Sequence, residues 1–451
     1  MSASKTKTHI CPKCNEPIID ESEAVFCADC NTVHHRQCWE EENGCATEGC
    51  DQQIYSPFPL YQFTRTTEKS VEERLDQLSP PNENHQTFAI IGGVIAALIL
   101  MGILASHLGV STNTIIVLAV IVTALVFDYV NGMHDAGNAI ATVISTRVLS
   151  PVAALTMAAV LNLLGALLFS AVAKNIASKF ADMSQVSALH LSITPIMILC
   201  GLVGASAWSF YTARIGMPVS TSHSLFGGLI GVFLVSGIPF NKEYMMTLGI
   251  FIVLAPLIAF TAGWALMLLV SWIFRNVAPW KINKQFRFWQ LLSSAMMAFS
   301  HGSNDAQKAM GIITMALIAG GMQDGNNGHP EIQLWVKITC AAVIALGTGF
   351  GGMKVIQTLG HKIIKLAPVH GFVAEAVAGA TIQLVTHFGV PISTTHVISS
   401  SILGIGASKR LSAVRWGVAG NIVSAWFFTI PTCAIASAVL YKLVMLIPFF
   451  W

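Results

Sequence analysis

The sequence predicts an all-α polytopic membrane protein made of two homologous halves with broken helices, preceded by a small soluble domain that binds two zinc ions. Three observations predict it. The 451 residues are 54% hydrophobic and 11% charged, with a mean hydropathy of +0.64, outside the range of a soluble globular protein. Seven of the ten cysteines fall within residues 11–50. Two different polar motifs each occur twice, in the same order and at nearly the same spacing.

The front of the chain is a separate module. Residues 1–87 hold 15 acidic and 7 basic residues, against 8 and 18 in residues 88–451, so an acidic soluble segment precedes a basic membrane body. Within residues 1–55 the donors are Cys11 and Cys14, Cys27 and Cys30, His35 and Cys38, then Cys45 and Cys50, with His34 as the alternative to His35. Two Cys-x2-Cys knuckles, a His-x2-Cys and a last Cys pair make eight soft ligands, enough for two closed tetrahedral zinc sites. A disulfide framework is the alternative, but x2 spacing suits chelation. So small a domain draws most of its folding energy from the metal. Residues 56–87, rich in proline and charge, are expected to be a linker. No basic n-region followed by an apolar h-region opens the chain, so residues 88–108 are expected to be an additional, uncleaved transmembrane anchor helix.

The membrane body follows. Stretches 111–127, 151–173, 183–213, 244–274 and 416–441 carry no charged residue, and each is long enough to cross about 30 Å of hydrocarbon. There is room for ten or more crossings, broken ones included. "NGMHDAGNAIAT" at 131–142 returns as "HGSNDAQKAMGI" at 301–312, and "GMPVSTSH" at 216–223 returns as "GVPISTTH" at 389–396. Asp135 and Asp305 are 170 residues apart, His223 and His396 173. The body is therefore two repeats, 111–274 and 288–451, joined by a connector at 275–287.

Paired repeats with an interrupted segment in each are the pattern of secondary transporters. A Gly-x-Pro-x-Ser run stops one helix, and the next begins with free N–H groups and the positive end of its dipole, which suits an anion. Ser220, Thr221 and Ser222, with Ser393, Thr394 and Thr395, add hydroxyls that can replace water around an oxyanion. The alternative use of such residues is capping and back-bonding within a helix. An intramembrane carboxylate is costly unless it pairs or binds a cation. Asp135 and Asp305, flanked by Asn131 and Asn138 and by Asn304 and Gln307, offer a hard-cation or proton site. A salt bridge to Lys308 or Arg147 is the alternative; Lys308, like Asn138, is otherwise expected to face the anion. His223 and His396 are either a proton relay or structural ties. Asp128 is a cation ligand or an interface residue, and Arg214 is an anion-contact candidate.

These four motifs, in this order, resemble those of the PiT inorganic phosphate transporters over residues 112–445. The resemblance implies two inverted repeats with re-entrant hairpins and phosphate import by symport with Na+ or H+, including import as a metal–phosphate complex. It places Asp135 and Asp305 near the coupling cation, where the flanking Asn131 and Asn304 are also expected, and the hydroxyl tips on phosphate. It adds Glu375 to the cation group and makes Asn162 its counterpart in the first half. It also implies a homodimer. The cysteine order resembles that of prokaryotic RING-like domains, whose cross-brace would pair Cys11, Cys14, His35 and Cys38 on one zinc and Cys27, Cys30, Cys45 and Cys50 on the other. That resemblance implies a cytosolic protein partner. Alternatives are a sulfate permease on the same scaffold and a membrane-anchored RING-like adaptor or phosphate-responsive regulator. The chain is expected not to be an enzyme and to bind no nucleic acid. Basic residues at 275–287 and 409–415 put both loops in the cytoplasm by the positive-inside rule. Zinc thiolates belong in a reducing compartment, so the expectation is a multi-pass protein of the cytoplasmic (inner) membrane, surrounded by lipid, with its N-terminus in the cytoplasm.

Overall fold

The computed structural model describes residues 9–18, 24–27, 32–42, 44–46, 55–56, 109–182, 185–186 and 189–446. The chain forms two units, Met1–Ala89 and Ile90–Trp451. The expected anchor helix 88–108 and most of the linker 56–87 lie outside the described residues, as do Cys30 and Cys50.

In the first unit, strands β1 (His9–Ile10) and β2 (Pro17–Ile18) pair antiparallel. The turn between them carries Cys11 and Cys14 and closes with Asn15 at φ 61°. A second sheet has order β4–β3–β5: β3 (Ala24–Cys27) lies between β4 (Val33–His35) and β5 (Tyr55–Ser56). Helix α1 (Arg36–Glu42) follows β4 directly and buries Trp39. His35 thus ends a strand while Cys38 sits on the first turn of a helix.

The second unit is helical. Its first half comprises α2 (Thr112–Ser145), α3 (Pro151–Leu168), α4 (Ala171–Lys179), α5 (Pro195–Ile215), α6 (Thr221–Ser236) and α7 (Lys242–Ile273). Its second half repeats the order with α8 (Pro279–Ala319), α9 (Leu334–Phe350), α10 (Met353–Gln357, continued by a π turn to Lys362), α11 (Pro368–His387), α12 (Thr394–Lys409) and α13 (Trp416–Val444). Local sequence sets the ends. Ser111 and Ser150 cap α2 and α3 by accepting from Thr114 N–H (3.2 Å) and Ala153 N–H (3.3 Å). Prolines open α3, α5, α8 and α11, where their missing N–H costs nothing. Gly216 ends α5 at φ 70° and Gly389 follows α11 at φ 71°, the left-handed turn that glycine adopts freely.

Among the described residues, six helices are long and apolar enough to cross a membrane, or seven if the pair Leu334–Phe350 and Met353–Lys362, bent by 64°, counts as one span. The ten or more crossings expected from sequence also counted broken helices and residues 88–108, which lie outside the described residues. The expected span 183–213 begins only at Pro195, and the connector expected at 275–287 is already helix from Pro279. Helix α8 is not among the six, because it carries the second polar motif in a protein interior rather than against lipid. The outer helices α7 and α13 instead expose apolar side chains such as Val253, Phe427 and Phe428, as a lipid-facing surface must.

The two inverted repeats do not fold side by side. Helix α2 of the first half packs on α9 of the second, and α8 of the second on α3 of the first. Likewise α6 packs on α13 and α12 on α7. Glycines make these crossings possible: a Cβ at Gly132 would collide with the Ile344 carbonyl, at Gly302 with that of Asn162, at Gly165 with that of Phe299 and at Gly347 with that of Tyr129. Small residues that let helix backbones touch are the usual basis of packing in lipid, where no hydrophobic force separates one apolar surface from another.

Candidate functional site

The crossings bring the four motifs together. Hairpins α5–α6 and α11–α12 turn at residues 216–220 and 389–393, and their tips meet: Ser222 Oγ donates to the Ile392 carbonyl at 3.1 Å. Ser220 and Ser393 are the N-caps of α6 and α12, accepting from His223 N–H (3.1 Å) and His396 N–H (3.2 Å). Their hydroxyl hydrogens stay available, as do the first backbone N–H groups of each helix. Two helix N-termini with six hydroxyl-bearing residues thus converge in the interior.

The aspartates face these tips. Thr221 Oγ1 donates to Asp135 Oδ2 at 3.0 Å, and Thr395 Oγ1, from the other repeat, to Asp135 Oδ1 at 3.3 Å. Thr394 Oγ1 lies 3.5 Å from Asp305 Oδ2, the symmetric counterpart of the Thr221 contact. Asn138 Nδ2 donates to both Thr394 (3.1 Å) and Thr395 (2.9 Å). Both carboxylates are at most 1% exposed. Carboxylate atoms of Asp135 and Asp305 and a ring nitrogen of His301 all lie within 4.8 Å of one another, a spacing that suits a shared cation.

The second ring of partners is asymmetric. His134 binds Asp135 Oδ1 through Nδ1 at 2.6 Å and the Met217 carbonyl through Nε2 at 3.2 Å. Its counterpart Asn304 satisfies all its partners when its nitrogen donates to Asp305 Oδ1 and the Ile392 carbonyl, both 3.2 Å, and its oxygen accepts from Thr386 at 2.8 Å. Lys308 donates to Asp305 Oδ1 at 2.8 Å. His301 reaches Asn162 Oδ1 at 3.0 Å through Nδ1 and stands 3.4 Å from Asp305 Oδ2 through Nε2. His134 and His301 were not singled out from sequence, although each sits inside a repeated motif.

Several expectations need correction. Lys308 is spent on Asp305 instead of facing an anion. Arg147 takes no part; its carbonyl accepts from Arg287 at 2.8 Å. Glu375 does not join the aspartates. It is held by Ser293 (2.6 Å), Gln290 (3.4 Å) and Thr142, near the other end of α2. Nor is Asn162 its counterpart: Glu375 lies on α11, which begins at Pro368 as α5 begins at Pro195, so its equivalent is Leu202. Asn162 belongs to α3, donating to Thr348 at 2.7 Å. Gln307 accepts from Val172 N–H (2.8 Å) and Ala173 N–H (3.2 Å), capping α4 and leaving the cation group. Arg214 lies over the Phe210 ring, 4.7 Å from its centroid. His223 and His396 meet edge to face at 4.5 Å, and His396 stacks on Trp426 at 3.9 Å; the two histidines line a small cleft with Phe251 and Pro256.

In the N-terminal unit, Cys11, Cys14, His35 and Cys38 bring their donor atoms within 4.8 Å of one another; Cys14 Sγ is 3.3 Å from His35 Nδ1. Three sulfurs and one nitrogen so placed fit a tetrahedral zinc site. Burial pushes the Cys11 thiol up, but N–H groups of Cys14, His35 and Lys13 outweigh it and hold Cys11 down to about 6. Burial and the neighbouring Cys14 and Cys11 sulfurs drive Cys38 up to about 12, the repulsion that a bound cation relieves. His34 is on the other side, with Nε2 3.4 Å from Cys45 Sγ and its ring 5.0 Å from Trp39. It is therefore not the alternative to His35, and it stands beside Cys45 where the second expected site lies.

Residues 131–437 match the model of the phosphate transporter family. The chain belongs to that family. Its transporter unit is 40% identical over 335 residues to a probable low-affinity inorganic phosphate transporter of Bacillus subtilis, covering 74% of this chain and 98% of the relative. A transporter of the same description from Rhizobium meliloti is 43% identical over 331 residues, covering 72% and 96%. A solved structure described as the sodium-dependent phosphate transporter superposes with a TM-score of 0.66 at 25% identity, covering 74% of this chain and 99% of that one. Residues 4–55 match the prokaryotic RING finger family 1.

Proposed function

We propose that the transporter imports inorganic phosphate by symport with a cation, Na+ or H+, and that the cation works by freeing the hydroxyls that bind phosphate. The observation that carries this is the contact of Thr221 and Thr395 with Asp135 and of Thr394 with Asp305. These hydroxyls are turned toward carboxylates, which also repel an anion. A cation on Asp135 and Asp305, with Asn304 beside it, competes for the same oxygens and neutralises them. The threonine hydroxyls then turn to phosphate, together with Ser220, Ser393, Asn138 and the two helix N-termini. Ser222 holds the tips together. Because the two ligands help each other through one set of atoms, the coupling is reciprocal. The sodium dependence of the solved relative favours Na+; the burial of every group at the site is equally open to H+.

The N-terminal unit is read as a double-zinc domain, its second ion held by Cys27, Cys30, Cys45 and Cys50 or with His34 in that set. It is placed in the cytoplasm as a docking point for a protein partner. The body is placed in the inner membrane, and a homodimer is the expected assembly.

Labelled-phosphate uptake into proteoliposomes, driven separately by an inward sodium and an inward proton gradient, tests the reading. Uptake under one gradient, unaffected by excess sulfate and lost in Asp135→Asn, is expected. Competition by sulfate, or uptake by Asp135→Asn equal to that of the parent, overturns it.

A further inference from the structure

Seven residues before Asp135, two turns earlier on α2, Asp128 is fully buried with no hydrogen-bond partner on either carboxylate oxygen. One turn along, Asn131 is also fully buried, with neither its amide oxygen nor its nitrogen partnered. Residues three apart lie on the same helix face, with Cβ atoms about 5–6 Å apart. The two side chains therefore present one carboxylate and one amide oxygen to the same small region. That region is where α2 packs on α8 and α9. Asp305 and Lys308 on α8, and Cys340 on α9, are within electrostatic reach of Asp128. None of them bonds to it, since Lys308 is held by Asp305.

A buried carboxylate without donors, beside a second carboxylate, stays ionised only with a positive charge against it and otherwise takes up a proton. Carboxylate and amide oxygens are hard donors of the kind that take a dehydrated alkali cation. The position also lies on a line. Asp128, Asn131, Asp135, Asn138 and Thr142 follow one another at intervals of three or four residues, all at most 1% exposed, a polar stripe about 21 Å long at 1.5 Å per residue. Repeat symmetry does not explain it: the equivalents of Asp128 and Asn131 in α8 are Ala298 and His301, and His301 is already engaged with Asn162.

We propose that Asp128 and Asn131 form a second cation station, separate from the Asp135–Asp305 centre and present in the first repeat alone, which takes a monovalent alkali cation, sodium, on its way to or from that centre. The inference rests on the reading of the chain as a cation-coupled transporter. The station gives the transporter one bound cation beyond those at the centre and a place where a cation waits while Lys308 still neutralises Asp305.

The test is equilibrium binding of radioactive sodium to the purified full chain in nanodiscs, parent against Asp128→Asn, Asp128→Glu and Asn131→Leu. Expected are one sodium ion fewer per chain in Asp128→Asn, the parental number in Asp128→Glu, and sodium affinity about tenfold weaker at one site in Asn131→Leu. If Asp128→Asn does not fold, Asn131→Leu carries the comparison, because it leaves the carboxylate in place. The same sodium count and affinity in the parent and both folded variants overturns the station. So does loss of every bound sodium in Asp128→Asn, which would make Asp128 part of the centre, and so does a changed pH profile of uptake with an unchanged sodium count, which would make it a proton site. A parent that binds no sodium fails before any variant is compared, and overturns the sodium reading of the centre together with the station.

Discussion

Asp135 and Asp305 occupy equivalent places in the two repeats, yet only Asp305 carries a lysine. Replacing a carboxylate therefore has different consequences at the two positions. Asp305→Asn leaves the Lys308 ammonium buried without its counter-charge, a situation that costs about 3–5 kcal/mol. Asp135 is held by hydroxyls and His134, so Asp135→Asn loses hydrogen bonds worth about 1–3 kcal/mol together. Thermal unfolding in detergent should show Asp305→Asn as much the less stable protein. Adding Lys308→Met should restore most of the loss without restoring uptake. Equal melting points for the two single variants would mean that Lys308 is not a structural partner. The pairing itself was open in the sequence: Lys308 lies one turn beyond Asp305, so salt bridge and anion contact were both available to it. The structure has the ammonium on Asp305 Oδ1, at 2.8 Å.

At the level of helices, the four glycines at the α2–α9 and α8–α3 crossings fix how closely the repeats approach. Because the atoms facing them are backbone carbonyls, a methyl group cannot be accommodated by a side-chain rotation. Gly165→Ala and Gly347→Ala should each cost about 1–3 kcal/mol through forced separation of the helices, and they should do so equally, since their surroundings are related by symmetry. A thermal-shift measurement would show it; Gly417→Ala, with open space around it, is the control. The repeated motifs made the existence of both halves, both hairpins and both aspartates readable, because two copies at a fixed offset are hard to obtain otherwise. The offset does not say which helix packs on which. The pairing of Glu375 with Asn162 failed for that reason: both are polar residues in apolar runs, but they lie on helices of different rank in the repeat. The start of α8 at Pro279 was missed because its basic residues look like a loop when helix length is judged by hydropathy.

For the whole chain, the contrast is between a lipid-embedded body stabilised by close packing and a small domain whose cysteine–histidine cluster is proposed to hold zinc. The paired sulfurs of that domain make its affinity for zinc depend on protons. With Cys11 held down to about 6, its thiolate contributes fully above the ordinary thiol value and loses that contribution as pH falls through about 6. With Cys38 raised to about 12, the metal must displace a proton there at any neutral pH, so zinc uptake releases protons and tightens as pH rises. Titration of the full chain with a chromogenic zinc chelator should show retention weakening steeply as pH is lowered through about 6. A flat profile between pH 5 and 8 would exclude this cluster as the zinc site. The ligand set was readable because chelation leaves its spacing in the sequence; the place of His34 beside Cys45 was not, since two adjacent histidines on a strand look alike until their alternate faces are seen.

The interlocked crossings also bear on ancestry. Each half keeps its long motif helix against the other half's second helix and one helix of its hairpin against the other half's last helix, besides contacts of its own such as α8 on α11 and α5 on α6. Two halves carried on one chain need not stay identical, and matched positions such as Asp128 and Ala298, or Leu202 and Glu375, now hold different residues.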